Sequence, residues 1–227
     1  MVVKQWNKLP TSMKIDEIKP YYNKLRKKII YLVFKRLFDI IMSLVLLIIL
    51  SPLFLIVSIL IKVDSKGPIL YKQKRVTQYN RIFKIWKFRT MVVGADKKGT
   101  LVTINNDNRI TKIGVFLRKT RLDEIPQLVN ILKGDMSFVG TRPEVEKYVN
   151  SYSSEMLATL LLPAGVTSIA SINYKDEQAL LDNCSDIDTM YVNTILPEKM
   201  KYNLQYLSDA SVLNDIATLI RTVVAVL

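Results

Sequence analysis

Residues 37–61 read LFDIIMSLVLLIILSPLFLIVSILI, and this stretch decides the architecture of the chain. It is nearly all apolar and exceeds the roughly 20 residues that a helix needs to reach across the hydrocarbon core of a bilayer. Asp39, near its beginning, is its only charged residue. A proline inside a helix removes a backbone donor and clashes with the preceding turn, so Ser51-Pro52 predicts a bend in the middle of the segment.

Basic residues crowd both flanks of the apolar segment: Lys27, Lys28, Lys35 and Arg36 before it, and Lys62, Lys66, Lys72, Lys74 and Arg75 after it. Positive charge marks the cytoplasmic side of a membrane helix, so a segment that crossed the bilayer would place one of these clusters on the wrong side. A bent helix that enters and leaves by the same face satisfies both clusters. We therefore expect a re-entrant helix over 37–61, with a spanning helix as the alternative.

The composition narrows the chemistry that the chain can perform. The 227 residues carry a net charge of +13 and are 49% hydrophobic, a combination typical of a membrane segment flanked by cations. Histidine is absent and Cys184 is the single cysteine, which excludes His-dependent catalysis, His or thiolate metal clusters and an internal disulfide. Nucleic-acid binding is not expected, because no helix-turn-helix, zinc-finger or ribonucleoprotein motif accompanies the basic residues.

The rest of the chain divides into a leading segment and a larger domain. Residues 1–36 are basic and partly amphipathic, and from Tyr21 the pattern predicts a helix suited either to an anionic lipid surface or to solvent. Residues 62–227 are expected to form a small, mostly helical α+β catalytic domain with a short β-hairpin. Its predicted elements are strands at 69–71 and 81–88 with a turn at 78–80, a polar loop over 94–107, helices over 110–119, 122–133 and 211–227 (the last capped by Ser211), and a turn with a short extended segment at 163–172.

The Asp123-Glu124 pair is the strongest candidate for catalysis. It lies in the run RLDEIPQL (121–128), which reads as a helix start because proline is tolerated in a first turn. The helix dipole alone favours acidic residues there, so a purely structural role is the alternative. A helix N-terminus also binds phosphate, and an ionised carboxylate at that point can attack phosphorus. Adjacent helical residues point about 100° apart, so the two carboxylates are expected to have separate roles.

Cations are dense between Lys72 and Arg142 and alternate with aromatic residues. For any single cation a solvated basic surface is the simpler explanation. As a set beside a membrane segment, they suit anionic ligands such as diphosphates and lipid phosphates. The residues alone therefore indicate a basic, membrane-associated domain that handles phosphates with carboxylate chemistry.

Several short motifs occur together in this chain. In chain order they are Lys35-Arg36-Leu37-Phe38-Asp39, Ser51-Pro52, Gly67-Pro68, Gln73-Lys74-Arg75, Phe83-Lys84-Ile85-Trp86-Lys87-Phe88-Arg89-Thr90-Met91, Asn106-Asp107-Asn108-Arg109-Ile110-Thr111, Leu122-Asp123-Glu124-Ile125-Pro126-Gln127-Leu128 and Gly134-Asp135-Met136-Ser137-Phe138-Val139-Gly140. In order and spacing the set resembles the bacterial sugar transferases, the monotopic phosphoglycosyl transferases that begin capsule, O-antigen and glycoprotein glycan assembly. The resemblance runs from about Phe34 to Pro143 and continues more weakly to the C-terminus.

The resemblance implies a ping-pong reaction on the cytoplasmic face of the bacterial inner membrane. Asp123 would attack the sugar-bearing phosphorus of a UDP-sugar, releasing UMP and leaving an aspartyl-phosphosugar. Undecaprenyl phosphate would then take the phosphosugar to give the diphosphate-linked lipid. Glu124 would position Mg²⁺, the implied cofactor, or manage a proton.

The resemblance also assigns phosphate and nucleotide contacts to residues outside the carboxylate pair, namely Arg75, Lys87, Arg89, Arg118, Arg142 and Pro143. It implies a re-entrant helix broken at Ser51-Pro52, leaves a homodimer open, and suggests a minimal catalytic form without the multi-helix extension of larger members. The chain departs from the family at Thr141, where Gly-Pro-Arg-Pro is usual, and over 163–168, where Pro-Gly-Ile-Thr-Gly is usual. Both departures put local loop geometry in question.

Two other functions fit parts of the sequence. A non-catalytic membrane scaffold of a glycan assembly complex would need the apolar segment but neither Asp123 nor Glu124. Pyrophosphate-bond hydrolysis would keep the fold and the site, and it would release UMP without needing the lipid acceptor. The transferase is the preferred interpretation, because both carboxylates are present within the ordered motifs.

Overall fold

A computed structural model describes residues 3–95, 107–177, 180 and 186–226. Its helices are α1 (Lys19–Lys27), α2 (Ile29–Ile49), α3 (Ser51–Asp64), α4 (Lys112–Lys119), α5 (Gln127–Lys133), α6 (Glu146–Val149), α7 (Ile169–Asn173), α8 (Ile187–Met190), α9 (Leu196–Asp209) and α10 (Val212–Val226). Its strands are β1 (Leu70–Thr77), β2 (Arg81–Phe88), β3 (Met136–Val139) and β4 (Ala164–Thr167). The expected class, a mostly helical α+β fold with a short hairpin, is confirmed.

Helices α2 and α3, called here the bent pair, form the apolar segment and meet at 61°. Only Leu50 separates them, and Pro52 stands in the first turn of α3, where a missing N–H group costs no intrahelical bond. Ser51 Oγ donates to the Ile48 carbonyl at 2.8 Å across the corner. The predicted bend at Ser51-Pro52 is confirmed. Among the described residues no single helix is long and apolar enough to cross a membrane. The two helices of the bent pair, taken together, have the required length and apolarity.

The bent pair is apolar on its outer side and packed against the domain on its inner side. Its exposed large apolar residues are Ile29, Ile30, Val33, Phe34, Leu37, Phe38, Ile41, Leu44, Val45, Ile48, Ile49, Leu55, Ile56, Ile59, Leu60 and Val63. On the inner side, Val57 and Ile61 are buried in a cluster with Phe88 and Leu117. An apolar surface of this extent marks contact with a membrane or another apolar partner rather than with water.

The leading segment packs on the protein core. Helix α2 runs without interruption across the boundary predicted between the leading segment and the membrane helix. Leu25 and Leu32, on the apolar side of the predicted amphipathic helix, are fully buried in a cluster that also contains Leu207. Ile30 and Val33 remain exposed. Much of the amphipathic pattern therefore serves protein packing and not contact with lipid.

The predicted β-hairpin is present, and β1 and β2 pair antiparallel in one continuous register. The turn between them lies at the predicted residues, with Tyr79 and Asn80 at left-handed φ values of 60° and 58°. Strand β1 extends beyond the predicted 69–71 and includes Lys72 and Lys74, which are exposed. Gln73 and Arg75, which alternate with these lysines, are half-buried, so residues 72–75 follow the period-2 pattern of a strand.

Strands β3 and β4 form a parallel pair, although they are distant in the chain. Of the two, only β4 lies in a segment that the sequence predicted to be extended. Gly165 N–H donates to the Thr141 carbonyl at 2.8 Å, and Gly140 N–H donates to the Thr167 carbonyl at 3.0 Å. A Cβ atom on Gly165 would lie 2.2 Å from the backbone nitrogen of Gly140. The two segments that depart from the family pattern are therefore bonded to each other, and glycine is required where they touch.

The helix predicted over 122–133 is divided in the structure. A 3₁₀ turn, Leu122–Glu124, precedes α5, and Pro126 between them lacks the N–H group that would continue the ladder of hydrogen bonds. Arg121 has a left-handed φ of 57° at the start of the turn. The prediction of one continuous helix is wrong here, and Asp123 lies on a tight turn instead. The helix predicted over 110–119 is confirmed as α4.

Helix α10 is the last described element. Ser211 Oγ accepts a hydrogen bond from Asn214 N–H at 3.3 Å, which confirms the predicted cap. Thr222 Oγ1 lies 2.7 Å from Thr167 Oγ1, so the inner side of α10 packs on β4. Its outer side exposes apolar residues: Leu213, Ile216, Ile220, Val223 and Val224. Most of the polar loop predicted over 94–107 lies outside the described residues.

Candidate active site

A cavity of about 1070 Å³ collects the residues that the sequence singled out. The eight residues proposed for catalysis and phosphate contact all line it: Arg75, Lys87, Arg89, Arg118, Asp123, Glu124, Arg142 and Pro143. Leu46 and Leu50 of the bent pair line the same cavity. Cationic side chains and apolar side chains of the bent pair therefore face one open cavity.

Asp123 is held in the cavity by the tight turn that follows the left-handed Arg121. It is 7% exposed, and its Oδ2 atom lies 4.0 Å from Lys87 Nζ. Burial raises the pKa of Asp123, and the charge of Glu124 adds to that rise, while the Lys87 ammonium opposes it. The net direction is upward, so the ionised carboxylate is more basic than usual, which suits a nucleophile.

Glu124 has a different environment from its neighbour. Its Oε1 atom accepts hydrogen bonds from Lys87 Nζ at 2.9 Å and from Arg142 Nη2 at 2.6 Å. Burial would raise the pKa of Glu124, but the charges and hydrogen bonds of Arg142 and Lys87 hold it well below the usual range. The Glu124 charge in turn raises the pKa of Arg142. The pKa values of the two carboxylates are thus displaced in opposite directions, as expected of groups with separate roles.

Arg75 and Pro143 act together in the structure. Arg75 donates to Gln73 Oε1 through Nη2 at 2.8 Å and to the Pro143 carbonyl through Nη1 at 3.3 Å. Pro143 therefore presents a backbone acceptor that orients Arg75. For Arg118 the nearby charge is that of Asp123. Burial lowers the pKa of Arg118, and the charge of Asp123 opposes that effect. Both arginines bring positive charge to the cavity.

Arg89 lies at the wall of the cavity, and both terminal nitrogens of its guanidinium group donate to the protein, while its buried Nε atom has no hydrogen-bond partner among the described residues. Its Nη2 atom donates to the Ser65 carbonyl at 2.6 Å and to Ser65 Oγ at 2.8 Å, and Nη1 donates to the Lys66 carbonyl at 3.2 Å. These acceptors follow the end of α3. Arg89 thus binds the end of the bent pair to the end of strand β2, and its contact with phosphate stays a prediction.

Buried charges anchor the first half of the bent pair in the same way. Asp39 Oδ1 accepts hydrogen bonds from Ser137 Oγ and Phe138 N–H, both at 3.1 Å. Arg36 donates to carbonyls at the end of α5, and Lys35 Nζ lies 2.7 Å from Asp215 Oδ2. The charged residues of the motif over 35–39 therefore fix α2 to the domain.

Sequence reasoning missed several polar residues that line the cavity: Gln127, Glu144, Tyr148, Glu177, Tyr191 and Lys199. Gln127 is 1% exposed, and neither side-chain polar atom has a hydrogen-bond partner among the described residues. Its place four residues after Asp123 in RLDEIPQL was an available signal. The others lie beyond the strongest motifs, and no local pattern distinguished them.

Comparison with known proteins finds several relatives that transfer a sugar phosphate to undecaprenyl phosphate. The chain is 35% identical over 198 residues to the UDP-glucose:undecaprenyl-phosphate glucose-1-phosphate transferase of Klebsiella pneumoniae, covering 86% of this chain and 40% of that protein. It is 34% identical over 208 residues to the undecaprenyl-phosphate galactose phosphotransferase of Salmonella typhimurium, covering 85% of this chain and 40% of that protein. It is 41% identical over 127 residues to the UDP-N-acetylgalactosamine-undecaprenyl-phosphate N-acetylgalactosaminephosphotransferase of Aeromonas hydrophila, covering 56% of this chain and 30% of that protein.

The chain therefore spans less than half the length of each of these relatives. The sequence profile described as bacterial sugar transferase covers residues 30–227, which is most of the chain. The matched region contains the bent pair from its second residue onward, the hairpin and every residue of the candidate site. On this basis the chain belongs to the bacterial sugar transferase family.

Proposed function

We propose that the chain transfers a sugar-1-phosphate from a UDP-sugar to undecaprenyl phosphate, giving undecaprenyl-diphosphate-sugar and UMP. This would be the first membrane step of capsule, O-antigen or glycoconjugate assembly. The observation that carries the proposal is Asp123, buried in a cavity lined both by cations and by Leu46 and Leu50 of the bent pair. The reaction needs cations for the donor diphosphate and an apolar approach for the lipid carrier.

The cations of the cavity would hold the donor diphosphate. Guanidinium groups bind phosphate oxygens with paired hydrogen bonds, whereas a lysine acts as a point charge. Lys87 contacts Glu124 and lies 4.0 Å from Asp123 Oδ2, so a phosphoryl group beside Lys87 would be within reach of the Asp123 carboxylate. Arg75, Arg118 and Arg142 supply the remaining positive charge.

The reaction would proceed in two displacements at one phosphorus atom. In the first, an Asp123 oxygen forms a bond to the sugar-bearing phosphorus while the bond to the UMP oxygen breaks, and UMP leaves with the electron pair. In the second, an oxygen of undecaprenyl phosphate attacks the same phosphorus, and Asp123 leaves as a carboxylate. Forming a covalent intermediate divides one difficult transfer into two easier ones.

Mg²⁺ is the proposed cofactor. Among the described residues no group of three or more acidic, His or Cys side chains is arranged to hold a metal. Mg²⁺ commonly uses only one or two carboxylates together with substrate phosphates and water, so the single carboxylate of Glu124 fits this ion. Glu124 Oε2 is the freer acceptor of its carboxylate, with Arg142 Nη1 at 3.4 Å. When bound, the ion would neutralise the negative charge of the diphosphate.

We further propose that the bent pair enters and leaves the bacterial inner membrane by its cytoplasmic face. The outer apolar surface of the pair, its angle of 61° and the cations on both flanks support this topology. A domain held in this way keeps the cavity at the depth of a lipid phosphate. The lipid acceptor could then reach Asp123 without leaving the membrane.

UMP release from a panel of UDP-sugars tests the reaction, using purified protein in detergent with undecaprenyl phosphate and Mg²⁺. We expect sustained release with one donor, dependence on the lipid, and a loss of about a thousandfold or more in Asp123→Asn. Asp209→Asn, at the exposed end of α9, is the matched control and should keep full activity.

Single-turnover labelling separates the mechanisms. With a donor labelled in its sugar and no lipid present, the label should remain on the wild-type protein and be absent from Asp123→Asn. Sustained UMP release without lipid would replace the transferase by a hydrolase. Normal turnover in Asp123→Asn would remove Asp123 as the nucleophile.

A further inference from the structure

A second cluster of polar side chains lines the active-site cavity. The proposed function gives it no role, either in holding the phosphates or in the reaction of Asp123 and Glu124. Its members, called here the lysine–carboxylate cluster, are Glu144, Glu177, Tyr191 and Lys199. Arg75 Nη1 lies 3.9 Å from Glu144 Oε2, whereas Arg142 bonds Glu124. Arg75 thus contacts the cluster and Arg142 contacts the carboxylate pair, and both arginines line the same cavity.

The cluster is closely bonded. Lys199 Nζ donates to Glu177 Oε2 at 2.9 Å and to the Tyr191 hydroxyl at 3.0 Å. The Tyr191 hydroxyl donates to Glu144 Oε1 at 2.6 Å. The side chains of Lys199 and Glu144 are only 6% and 8% exposed. Taking charges out of water is costly, and apolar residues of similar volume would often stabilise a fold equally well, so stability alone does not explain the cluster.

The chemistry of the cluster selects a particular part of the donor. Two carboxylates repel phosphate oxygens, so the diphosphate is expected beside the arginines and Lys87 instead. A uracil ring offers one N–H donor and two carbonyl acceptors, whereas Glu144 and Glu177 present mainly acceptors. A sugar carries several hydroxyl groups, and each can donate to a carboxylate while accepting from an ammonium or a phenol.

Aromatic rings lie beside the polar atoms of the cluster. The rings of Tyr148 and Tyr191 are 4.5 Å apart and tilted by 37°, and both residues line the cavity. Aromatic carbon atoms next to hydrogen-bonding groups suit a ring that is apolar on its C–H face and polar at its edge. A sugar ring has this character, and a phosphate has not.

We propose that Glu144, Glu177, Tyr191 and Lys199 form the subsite that binds the hydroxyl groups of the donor sugar and selects which sugar is transferred. The inference rests on the proposed function, and it assigns the binding of the donor's sugar to this cluster. A site built to bond hydroxyl groups discriminates strongly against analogues that cannot complete those bonds, because its buried polar groups are then left unpaired. Sugar choice is therefore expected to change when the cluster changes.

Binding measurements test the subsite without relying on turnover. In an Asp123→Asn background, where the donor is not consumed, calorimetry would compare a UDP-sugar with UDP, which has no sugar. In Glu177→Gln and Lys199→Met we expect the Kd for the UDP-sugar to rise about tenfold or more, and the Kd for UDP to stay within about twofold. UDP-glucose and UDP-galactose serve as probes if no donor in the panel turns over.

The matched controls lie on the same helix as Lys199. Glu198 and Lys201 form an outward pair on α9 with Nζ–Oε1 at 2.6 Å, and Glu198→Gln and Lys201→Met should leave both affinities unchanged. Thermal unfolding of each variant separates lost binding from lost folding. A parallel loss of UDP and UDP-sugar affinity would assign the cluster to the nucleotide. Unchanged UDP-sugar affinity, with or without a lower melting temperature, would leave it a structural network and overturn the proposal.

Selectivity provides the second measurement if turnover is observed. The ratio of kcat/KM between two UDP-sugars should change in Glu177→Gln relative to the wild type and to Glu198→Gln. An unchanged ratio would contradict a role in sugar choice. Absence of turnover in the wild type would count against the proposed function, while the calorimetry would still decide whether the cluster binds a sugar.

Discussion

Arg142 Nη2 lies 2.6 Å from Glu124 Oε1, and this partly buried contact organises the carboxylate pair. Lys87 Nζ reaches the same oxygen at 2.9 Å and stands between the two carboxylates, 4.0 Å from Asp123. Glu124 therefore stays ionised although burial would raise its pKa, because Arg142 and Lys87 hold that pKa well below the usual range. The arrangement leaves Asp123 as the carboxylate available for attack.

Replacing Arg142 should destabilise the protein in a pH-dependent way. Arg142→Met leaves the Glu124 charge buried with one partner fewer, and such a loss costs about 3 kcal/mol at neutral pH. A depressed carboxylate pKa contributes stability above the unfolded pKa and loses it as pH falls through the folded pKa. The gap in melting temperature between wild type and Arg142→Met should therefore be largest near neutrality and close in acid. An equal gap at every pH would mean that Arg142 contributes packing and not charge.

Lys87→Met should move the acid limb of the pH–rate profile. Burial raises the pKa of Asp123 and Lys87 opposes that rise, so removing the ammonium raises it further. Less Asp123 is then ionised at a given acidic pH, and the acid limb of kcat/KM for UMP release should shift to higher pH. Lys84 lies on the same strand but is exposed, so Lys84→Met should change neither the rate nor the pH at which the acid limb falls. An unshifted limb in Lys87→Met would show that another group controls it.

Removal of divalent metal should stop UMP release. The diphosphate charge would then face the carboxylates of Asp123 and Glu124 without the neutralising ion. Chelation with EDTA followed by stepwise return of Mg²⁺ measures this dependence. Full activity after exhaustive chelation would contradict the proposed cofactor.

Gly165→Ala should destabilise the β3–β4 pair. Its Cβ would lie 2.2 Å from the backbone nitrogen of Gly140, so the strands would have to separate, at a cost of about 3 kcal/mol. Gly94→Ala is the contrast, because a Cβ there meets nothing within 4 Å and only the left-handed φ of +81° opposes it. Its cost should be about 1 kcal/mol. Thermal unfolding measures both, and equal melting temperatures would contradict the close approach.

The topology of the bent pair can be tested by labelling exposed flanking residues. In a Cys184→Ser background, Lys27→Cys and Lys62→Cys place one thiol before the bent pair and one near its end. A membrane-impermeant maleimide should reach both thiols only from the cytoplasmic face, because a re-entrant helix returns to its starting side. Labelling of the two thiols from opposite faces would establish a spanning helix.

Local features could be predicted from the sequence because their causes lie within a few residues. The bend follows from Pro52, the cap of α10 from Ser211, and the hairpin from two strands joined by a three-residue turn. RLDEIPQL also identified Asp123 and Glu124 as a pair. The cations that surround the pair required the family resemblance, since a single lysine or arginine carries no local sign of its target.

The sequence by itself determined the apolar segment, its bend, the basic character and the carboxylate pair, because hydrophobic pattern, proline and charge act locally. Only the tertiary structure decided what each charge contacts. Arg89 meets Ser65 at the end of the bent pair, and Lys199 meets Glu177 and Tyr191 at the cavity wall. Those partners are distant in the chain or belong to different elements, and burial removes the water that would otherwise solvate them. Their pairing therefore depends on how the elements pack and not on any short stretch of sequence.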